Sequence, residues 1–259
     1  MDNSIEVSFL LCTNVFNDEF KATVDSCLEQ TIYDIEIIII VNGVDDKINW
    51  LVGKYCNIDK RIRVIQSNAM YLSFNLNIGL FYCRSNLVAR IDVGDIALPE
   101  RIQVQRDFML KNVDVAVCGS AYKTIKNNKI GLINYVMPIY HNQIQRRLYF
   151  SNPISHPSTM LRRDVVFSVG GYMGGRYAQD YDLWIRIMTE TKYKFHNLER
   201  VLIYYEEMGG SARKSPYSYA SASSTQWRMF VLYFNPIWAI SASISLLKRI
   251  FSGLENKLK

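Results

Sequence analysis

The sequence predicts an α/β fold with a mostly parallel sheet and helices on both of its faces. In the first 112 residues, short continuous apolar runs alternate with segments whose apolar residues recur at helical spacing. Strands that are buried on both faces give such runs, and their alternation with helices is typical of βαβ units. A chain of 259 residues with 49% hydrophobic residues can form one large domain of this class, alone or with an appendage.

Apolar runs in the first half are predicted strands, and the periodic segments between them are predicted helices. The strands are residues 7–12, 35–41, 62–66 and 87–91, and the helices are 18–30, 47–55 and 73–84. Beyond residue 112 the alternation changes. There the sequence predicts a strand at 113–120, a hairpin within 122–135, a strand at 158–162, and helices at 141–150, 164–169 and 180–191.

The segment from residue 215 onward differs in composition from the rest of the chain. Its nineteen-residue stretch 229–247 carries no charge, but Pro236 and three serines interrupt it. Three interpretations stay open: two amphipathic helices in a membrane interface, helices packed on the domain or on a second subunit of a homodimer, and a membrane span. In the first, Trp227, Trp238 and Phe251 face lipid, and the terminal lysines meet anionic headgroups.

The net charge of +6 and a pI of about 9.0 indicate an anionic partner: nucleic acid, a membrane surface or a phosphate-bearing ligand. Lys and Arg form no dense block in the sequence, which argues against nucleic acid. The five cysteines include no CxxC pair, so neither a disulfide framework nor a zinc site is expected. Reduced thiols and an amino terminus without a basic leader predict a cytoplasmic protein.

Two carboxylates follow the fourth predicted strand. Asp92 ends the apolar run directly, and Asp95 follows three residues later, across Gly94. Ligands of open α/β sheets bind at the carboxyl ends of strands, and Mg²⁺ prefers one or two carboxylates plus substrate oxygens. The pattern therefore predicts a cation and phosphate site at Asp92. Asp95 is equally well explained as a helix N-cap near Pro99.

Two segments of the first half carry a family resemblance. CLEQTIYDIEIIIIVNGVDD (27–46) and NLNIGLFYCRSNLVARIDVGD (75–95) resemble segments of family 2 glycosyltransferases, which are inverting enzymes with the GT-A fold. The resemblance implies a Rossmann-like sheet, a nucleotide-sugar donor and a Mn²⁺ or Mg²⁺ ion at the family's Asp-x-Asp motif. Gly94 replaces the second Asp of that motif, so Asp92 and Asp95 are the implied metal ligands. The residues implied to bind the nucleotide sugar are Thr13, Asn14, Asn42, Asn77, Arg90 and Asp92.

Two segments of the second half, SNPISHPSTMLRRDVVFSVGGY (151–172) and AQDYDLWIRI (178–187), resemble the same family. By that resemblance Asp180 is the general base, which must lie within hydrogen-bond reach of the acceptor hydroxyl. His156 and Gln179 are placed on the acceptor side of the cleft, and Gln179 stands where the family has Glu. Asp182 is expected to be structural.

The family's YRxHxxSxS element corresponds to YYEEMGGSARKS, residues 204–215. Glu206 replaces the Arg of that element. Met208 replaces its His, which helps to bind the diphosphate or the metal. Arg213 and Lys214 follow closely, and we predict that they neutralise the diphosphate leaving group.

These features predict a nucleotide-sugar-binding half at 1–112, an acceptor-binding and catalytic half at 113–214, and an amphipathic membrane-associating tail at 215–259. The expected activity is inverting transfer of a sugar, preferably from a UDP-sugar, to a lipid-linked glycan in O-antigen or capsule biosynthesis at the inner face of the cytoplasmic membrane. The altered positions 42, 94 and 208 leave a non-catalytic nucleotide-sugar-binding partner as the alternative. A nucleotidyltransferase is disfavoured, since residues 12–20 hold no Gly, Lys or Arg for a phosphate loop.

Overall fold

A computed structural model describes residues 5–43, 54, 58–126, 129–173, 175–206 and 215–255, with side chains up to residue 251. The strands of this part of the chain are β1 Val7–Thr13, β2 Ile35–Asn42, β3 Ile62–Ser67, β4 Leu87–Ile91, β5 Ile96–Ala97, β6 Val115–Lys126, β7 Lys129–Ile130, β8 Met160–Arg162 and β9 Lys194–Glu206. They form one sheet in the order β3-β2-β1-β4-β8-β6-β9-β5, and β7 pairs with β6 outside this path.

The helices cover the sheet and extend beyond it at the carboxyl terminus. They are α1 Asp18–Leu28, α2 Leu72–Tyr82, α3 Arg101–Lys111, α4 His141–Leu148, α5 Arg163–Ser168, α6 Gln179–Glu190, α7 Pro216–Tyr233 and α8 Pro236–Glu255, with a 3₁₀ turn at His156–Ser158. These bounds confirm the predicted helices at 18–30, 73–84, 141–150, 164–169 and 180–191. The helix predicted at 47–55 lies outside the described residues, apart from residue 54.

The amino-terminal half of the sheet positions the site. Strands β3, β2, β1 and β4 run parallel, which confirms the predicted α/β class. Because β1 lies between β2 and β4, the strand order reverses beside β1, and ligands of open sheets bind at such a point. The apolar runs of these strands fill the core, where Phe9 and Ile37 are fully buried. Thr13, the last residue of β1, and Asp92, directly after β4, therefore lie at the ligand-binding edge of the sheet.

Two strands are absent from the sequence prediction. The first half of β9 is mostly polar, and Glu199 and Arg200 separate it from the apolar run 201–205 where its pairing with β6 shifts register. β5 has only two residues and pairs antiparallel with β9. The short strand β8 lies antiparallel between β4 and β6 and joins the two halves of the chain into one sheet.

The tail forms the two helices predicted to meet at Pro236. Met229, Trp238 and Ala242 are buried, and the Trp238 ring lies 4.6 Å from the ring of Tyr149. The prediction that Trp238 faces lipid is therefore wrong, because its ring packs against the residue that follows α4. Trp227 is 42% exposed. Neither tail helix, nor any other helix in the described ranges, combines the length and apolar character that a membrane span requires.

Candidate active site

A cavity of about 610 Å³ opens beyond the carboxyl end of β4. Asp92, which follows β4, and Asp180, at the start of α6, both line it. Its wall also includes His156, Gln179, Tyr205, Ser218, Ser245 and Lys248. The cavity thus brings together four predicted site residues from separate parts of the sequence, and the tail helices complete it.

Asp180 lies in the first turn of α6. The chain enters this helix through Ala178, whose left-handed backbone (φ 56°) turns it sharply toward the cavity. Asn152 Nδ2 donates a hydrogen bond of 2.7 Å to Asp180 Oδ2 and orients the carboxylate. The helix dipole favours the ionised form of an acid in this turn. An ionised, oriented carboxylate in the wall of a cavity can take a proton from a hydroxyl bound there.

His156 forms part of the cavity wall but is only 7% exposed. Its Nε2 lies 2.8 Å from the hydroxyl oxygen of Tyr172, and its ring packs edge-on against Trp184. These contacts hold the imidazole in a fixed orientation in the cavity wall.

Asp92 is held at the cavity by Arg90. The Arg90 guanidinium is 1% exposed, pairs with the Asp92 carboxylate and donates a hydrogen bond to the carbonyl oxygen of Ile91. The Asp92 side chain itself is 43% exposed. Arg90 therefore positions Asp92 from inside the sheet, while Asp92 reaches the open cavity.

Asp95 lies under the turn that carries Asp92. It is 1% exposed, and its Oδ1 accepts a hydrogen bond of 2.8 Å from the backbone N–H of Glu206. Its other carboxyl oxygen, Oδ2, has no hydrogen-bond partner among the described residues. Burial, together with the nearby Asp92 charge, raises the pKa of Asp95 well above its usual range. Asp95 thus joins the turn after β4 to the end of β9.

Thr13, Asn14 and Asn42 lie at the carboxyl ends of β1 and β2 and are not among the residues that line the cavity. Thr13 Oγ1 accepts a hydrogen bond of 2.9 Å from the N–H of Val15 and stabilises the turn after β1. Asn14 is exposed in that turn, and Asn42 is half-buried at the end of β2. These side chains lie at the sheet edge where the nucleotide-sugar site was predicted.

Asn77 connects the two halves of the chain. Its Nδ2 donates to the carbonyl oxygen of Tyr172 at 2.9 Å, and its Oδ1 accepts from the Tyr172 N–H at 2.8 Å. Because both ends of the amide are used by the Tyr172 backbone, Asn77 holds the loop that leads toward α6.

The described side chains contain no group of three or more His, Cys, Asp or Glu that could hold a metal ion. A cation that shares its coordination with substrate phosphates needs only one or two protein carboxylates. The exposed Asp92 carboxylate and the unpartnered Asp95 oxygen fit such a partial site. Arg213 and Lys214, the predicted diphosphate partners, lie outside the described residues.

Sequence reasoning overlooked three residues that the structure places at or beside the site: Asn152, Glu206 and Lys248. Asn152 lies in a segment that resembles the family, but its contact with Asp180 spans 28 residues of sequence. Glu206 was noted only as the replacement of an Arg. Lys248 lies in the tail, far along the sequence from the other residues of the cavity. None of these positions shows a local spacing that would reveal its contacts.

Comparison with known proteins identifies the family. Residues 10–170 match the sequence profile of Glycosyl transferase family 2. The chain is 33% identical over 227 residues to the "O-antigen biosynthesis glycosyltransferase WbnJ" of Escherichia coli, an alignment that covers 87% of this chain and 89% of that one.

Two solved structures share the fold. S. aureus TarS 1-349 in complex with UDP-GlcNAc has a TM-score of 0.69 at 16% identity, over 95% of this chain and 73% of that one. The mannosyltransferase PcManGT from Pyrobaculum calidifontis, in complex with GDP-Man and Mn²⁺, has a TM-score of 0.61 at 14% identity. This match covers 95% of this chain and 73% of that one. The profile match and the relative agree with the motifs that the sequence carries, and the chain therefore belongs to glycosyl transferase family 2 and is a glycosyltransferase with the GT-A fold.

Proposed function

We propose that this glycosyltransferase transfers a hexose or N-acetylhexosamine, with inversion, from a nucleotide sugar to a hydroxyl of a lipid-linked glycan in polysaccharide biosynthesis of the O-antigen or capsule type. The observation that carries the proposal is that Asp92 and Asp180 line one cavity at the carboxyl end of the sheet. The name of the Escherichia coli relative supports the pathway, and the UDP-GlcNAc complex of TarS supports a UDP-sugar donor. The GDP-Man complex of PcManGT makes a GDP-sugar the main alternative to a UDP-sugar as donor.

In the proposed reaction, Asp180 takes the proton of the acceptor hydroxyl while the hydroxyl oxygen bonds to the anomeric carbon. The bond between that carbon and the diphosphate oxygen breaks on the opposite side, and its electron pair leaves with the nucleoside diphosphate. Asn152 keeps the Asp180 carboxylate oriented throughout.

The leaving diphosphate needs positive charge beside it. When bound, a divalent cation stabilises the departing diphosphate, and Asp92 with Asp95 would hold the cation. The Mn²⁺ of the PcManGT complex supports a divalent ion in this fold. In the same proposal, Arg213 and Lys214 neutralise the diphosphate from the segment before α7.

Donor binding can be measured by thermal shift. We expect the melting temperature to rise with UDP and a UDP-sugar, more strongly with Mn²⁺, because a ligand at a hundredfold excess over its Kd stabilises the native state by about 2.7 kcal/mol. Asp92→Ala is expected to lose most of this shift. Asp107→Ala is the matched control, since Asp107 is 45% exposed, close to the 43% of Asp92, and does not line the cavity. A larger shift with GDP than with UDP would reassign the donor, and equal shifts in both variants would remove Asp92 from the site.

The acceptor proposal depends on the tail helices. Ser218 of α7 and Lys248 of α8 line the same cavity as Asp180. The two helices also expose large apolar side chains on their outer surface: Val231, Leu232, Phe234, Ile240, Leu247 and Phe251. An apolar surface beside a lysine is suited to the boundary between lipid tails and anionic headgroups. A lipid-linked acceptor would then reach Asp180 from the membrane surface without leaving it.

Vesicle sedimentation tests this arrangement. We expect the protein to sediment with vesicles rich in phosphatidylglycerol, and less with purely zwitterionic vesicles. Leu247→Ser combined with Phe251→Ser should weaken the binding, because each loses exposed apolar surface. Leu132→Ser is the matched control, since Leu132 is 95% exposed just beyond β7, away from the tail. If the double variant instead converts a dimer to a monomer with unchanged vesicle binding, the surface covers a second copy of the chain.

A further inference from the structure

The side chain of Gln226, in α7, is fully buried and joins two segments that are distant in sequence. Its Nε2 donates a hydrogen bond of 3.0 Å to the carbonyl oxygen of Tyr149 and one of 2.9 Å to the hydroxyl oxygen of Tyr181. Tyr149 directly follows α4, and Tyr181 lies at the start of α6. A single amide group of the tail thus bonds to both segments.

These two segments are also the ones that hold Asp180. Tyr181 is the next residue in the chain, and Asn152, three residues after Tyr149, donates the hydrogen bond to Asp180 Oδ2. The candidate base is therefore attached to one segment through its backbone and to the other through its carboxylate. Because Gln226 connects the same two segments, it helps to set the separation between Asn152 and Asp180.

The direction of the Gln226 amide is determined by its neighbours. The carbonyl oxygen of Tyr149 can only accept a hydrogen bond, so the amide nitrogen must face it. The Tyr181 hydroxyl donates a hydrogen bond of 2.6 Å to the carbonyl oxygen of Leu148, and its oxygen therefore accepts from Gln226. Burial raises the pKa of Tyr181, so the hydroxyl keeps the proton that this arrangement needs.

Stability alone does not explain an amide at this buried position. The Oε1 atom of Gln226 is buried and has no hydrogen-bond partner among the described residues. A buried carbonyl group without a partner costs free energy, and an apolar side chain of the same shape would avoid that cost. The use of the amide therefore lies in the two bonds that its nitrogen makes.

Two further contacts of α7 lie before and after Asp180 in the sequence. The ring of Tyr217 stacks on the ring of Tyr177, with centroids 5.5 Å apart and an angle of 13° between the planes. Arg228 pairs with the buried carboxylate of Asp182. The first helix of the tail thus contacts the chain on both sides of the candidate base.

We propose that Gln226 is a positioning residue for the reaction. Through its bonds to Tyr149 and Tyr181, it keeps the candidate base at the place where the acceptor hydroxyl binds. The inference rests on the proposed function, because it takes Asp180 as the general base. It gives the tail a role in catalysis in addition to the proposed contact with lipid.

Hydrogen–deuterium exchange tests the positioning without any substrate. Gln226→Met keeps the length of the side chain but loses both donors, so the amides at the start of α6 should exchange faster than in the wild type. Ser223→Ala is the matched control, since Ser223 is also buried in α7 but donates its hydrogen bond, of 2.9 Å, to the carbonyl oxygen of Ala242 in α8. Its exchange in α6 should equal that of the wild type.

Turnover tests the consequence for the reaction. The assay measures release of the nucleoside diphosphate from the nucleotide sugar that gives the largest thermal shift, with water as the acceptor. Gln226→Met should lower kcat about 10²-fold, since a displacement of about 1 Å can cost that much, and should leave the Kd of the nucleoside diphosphate unchanged. Tyr181→Phe should also lower kcat. The double variant should be no slower than the slower single variant, because both changes remove the same contact.

The outcomes distinguish this inference from the proposed function. Either a wild-type kcat or a wild-type exchange rate in Gln226→Met overturns the inference. So do an equal loss of kcat in Ser223→Ala and losses that multiply in the double variant. If Gln226→Met fails to fold, Tyr181→Phe takes its place in both measurements. A wild-type protein that releases no diphosphate would count against the proposed function, and exchange in α6 would then decide the positioning by itself.

Discussion

Asp180→Asn will lower kcat by about 10²–10⁴-fold, the usual contribution of a positioned general base. Asparagine has nearly the same shape as aspartate but cannot take a proton at neutral pH. Its side-chain oxygen can still accept the hydrogen bond that Asn152 donates at 2.7 Å, so the start of α6 is retained. Donor binding should survive, because the donor is proposed to contact the opposite side of the cavity at Asp92.

Single-turnover transfer from a labelled donor measures this effect, with the melting temperature recorded for each variant. Asp164→Asn is the matched control, since Asp164 lies in the first turn of α5 and does not line the cavity. Its kcat should equal that of the wild type. A wild-type rate in Asp180→Asn would place the base elsewhere. A wild-type protein that binds the donor but transfers no sugar to any tested acceptor would support the non-catalytic alternative.

The parts of the fold that the sequence predicts best are those where one short segment determines its own structure. The isoleucine run of β2 is buried on both faces, so its apolar residues are continuous and the strand is evident. The same holds for β4, whose end marks the position of Asp92. The period of α6 similarly places Leu183 and Trp184 in the core and leaves Asp180 at the first turn. Asp92, the candidate donor contact, was therefore predictable as the end of a strand, and Asp180, the candidate base, as the start of a helix.

The parts that the sequence does not predict depend on pairing between distant segments. β9 contains a register shift at Glu199 and Arg200, so its polar first half and its apolar run 201–205 share no single period. The hydrogen bond from the Glu206 N–H to Asp95 depends on that same strand, and the two residues are 111 positions apart in sequence. Trp238 was expected to face lipid because the tail is amphipathic, but the cluster around Tyr149 buries it. Tertiary packing decides each of these cases.

Asp182→Ala will destabilise the protein by about 3–5 kcal/mol, the typical cost of removing one partner of a buried ion pair. Asp182 is 1% exposed. Its Oδ2 accepts a hydrogen bond of 2.9 Å from Arg186 Nε, and its Oδ1 accepts one from Arg228 of α7. Truncation would leave the Arg186 guanidinium, 4% exposed, without this counter-charge and would remove the ion pair that Arg228 of α7 makes with α6.

Urea denaturation followed by far-UV circular dichroism measures the free energy of unfolding. Asp25→Ala is the matched control: Asp25 pairs with Lys21 on the surface of α1, and exposed pairs contribute about 0–1 kcal/mol. The two acids of α6 should then have different effects. Asp180→Asn should remove turnover with little change in the free energy of unfolding. Asp182→Ala should lower the free energy of unfolding and, at temperatures where it is folded, change turnover little. If Asp182→Ala abolished transfer while its unfolding free energy stayed that of the wild type, the general base would be Asp182, and the cavity would have to open to the opposite face of α6.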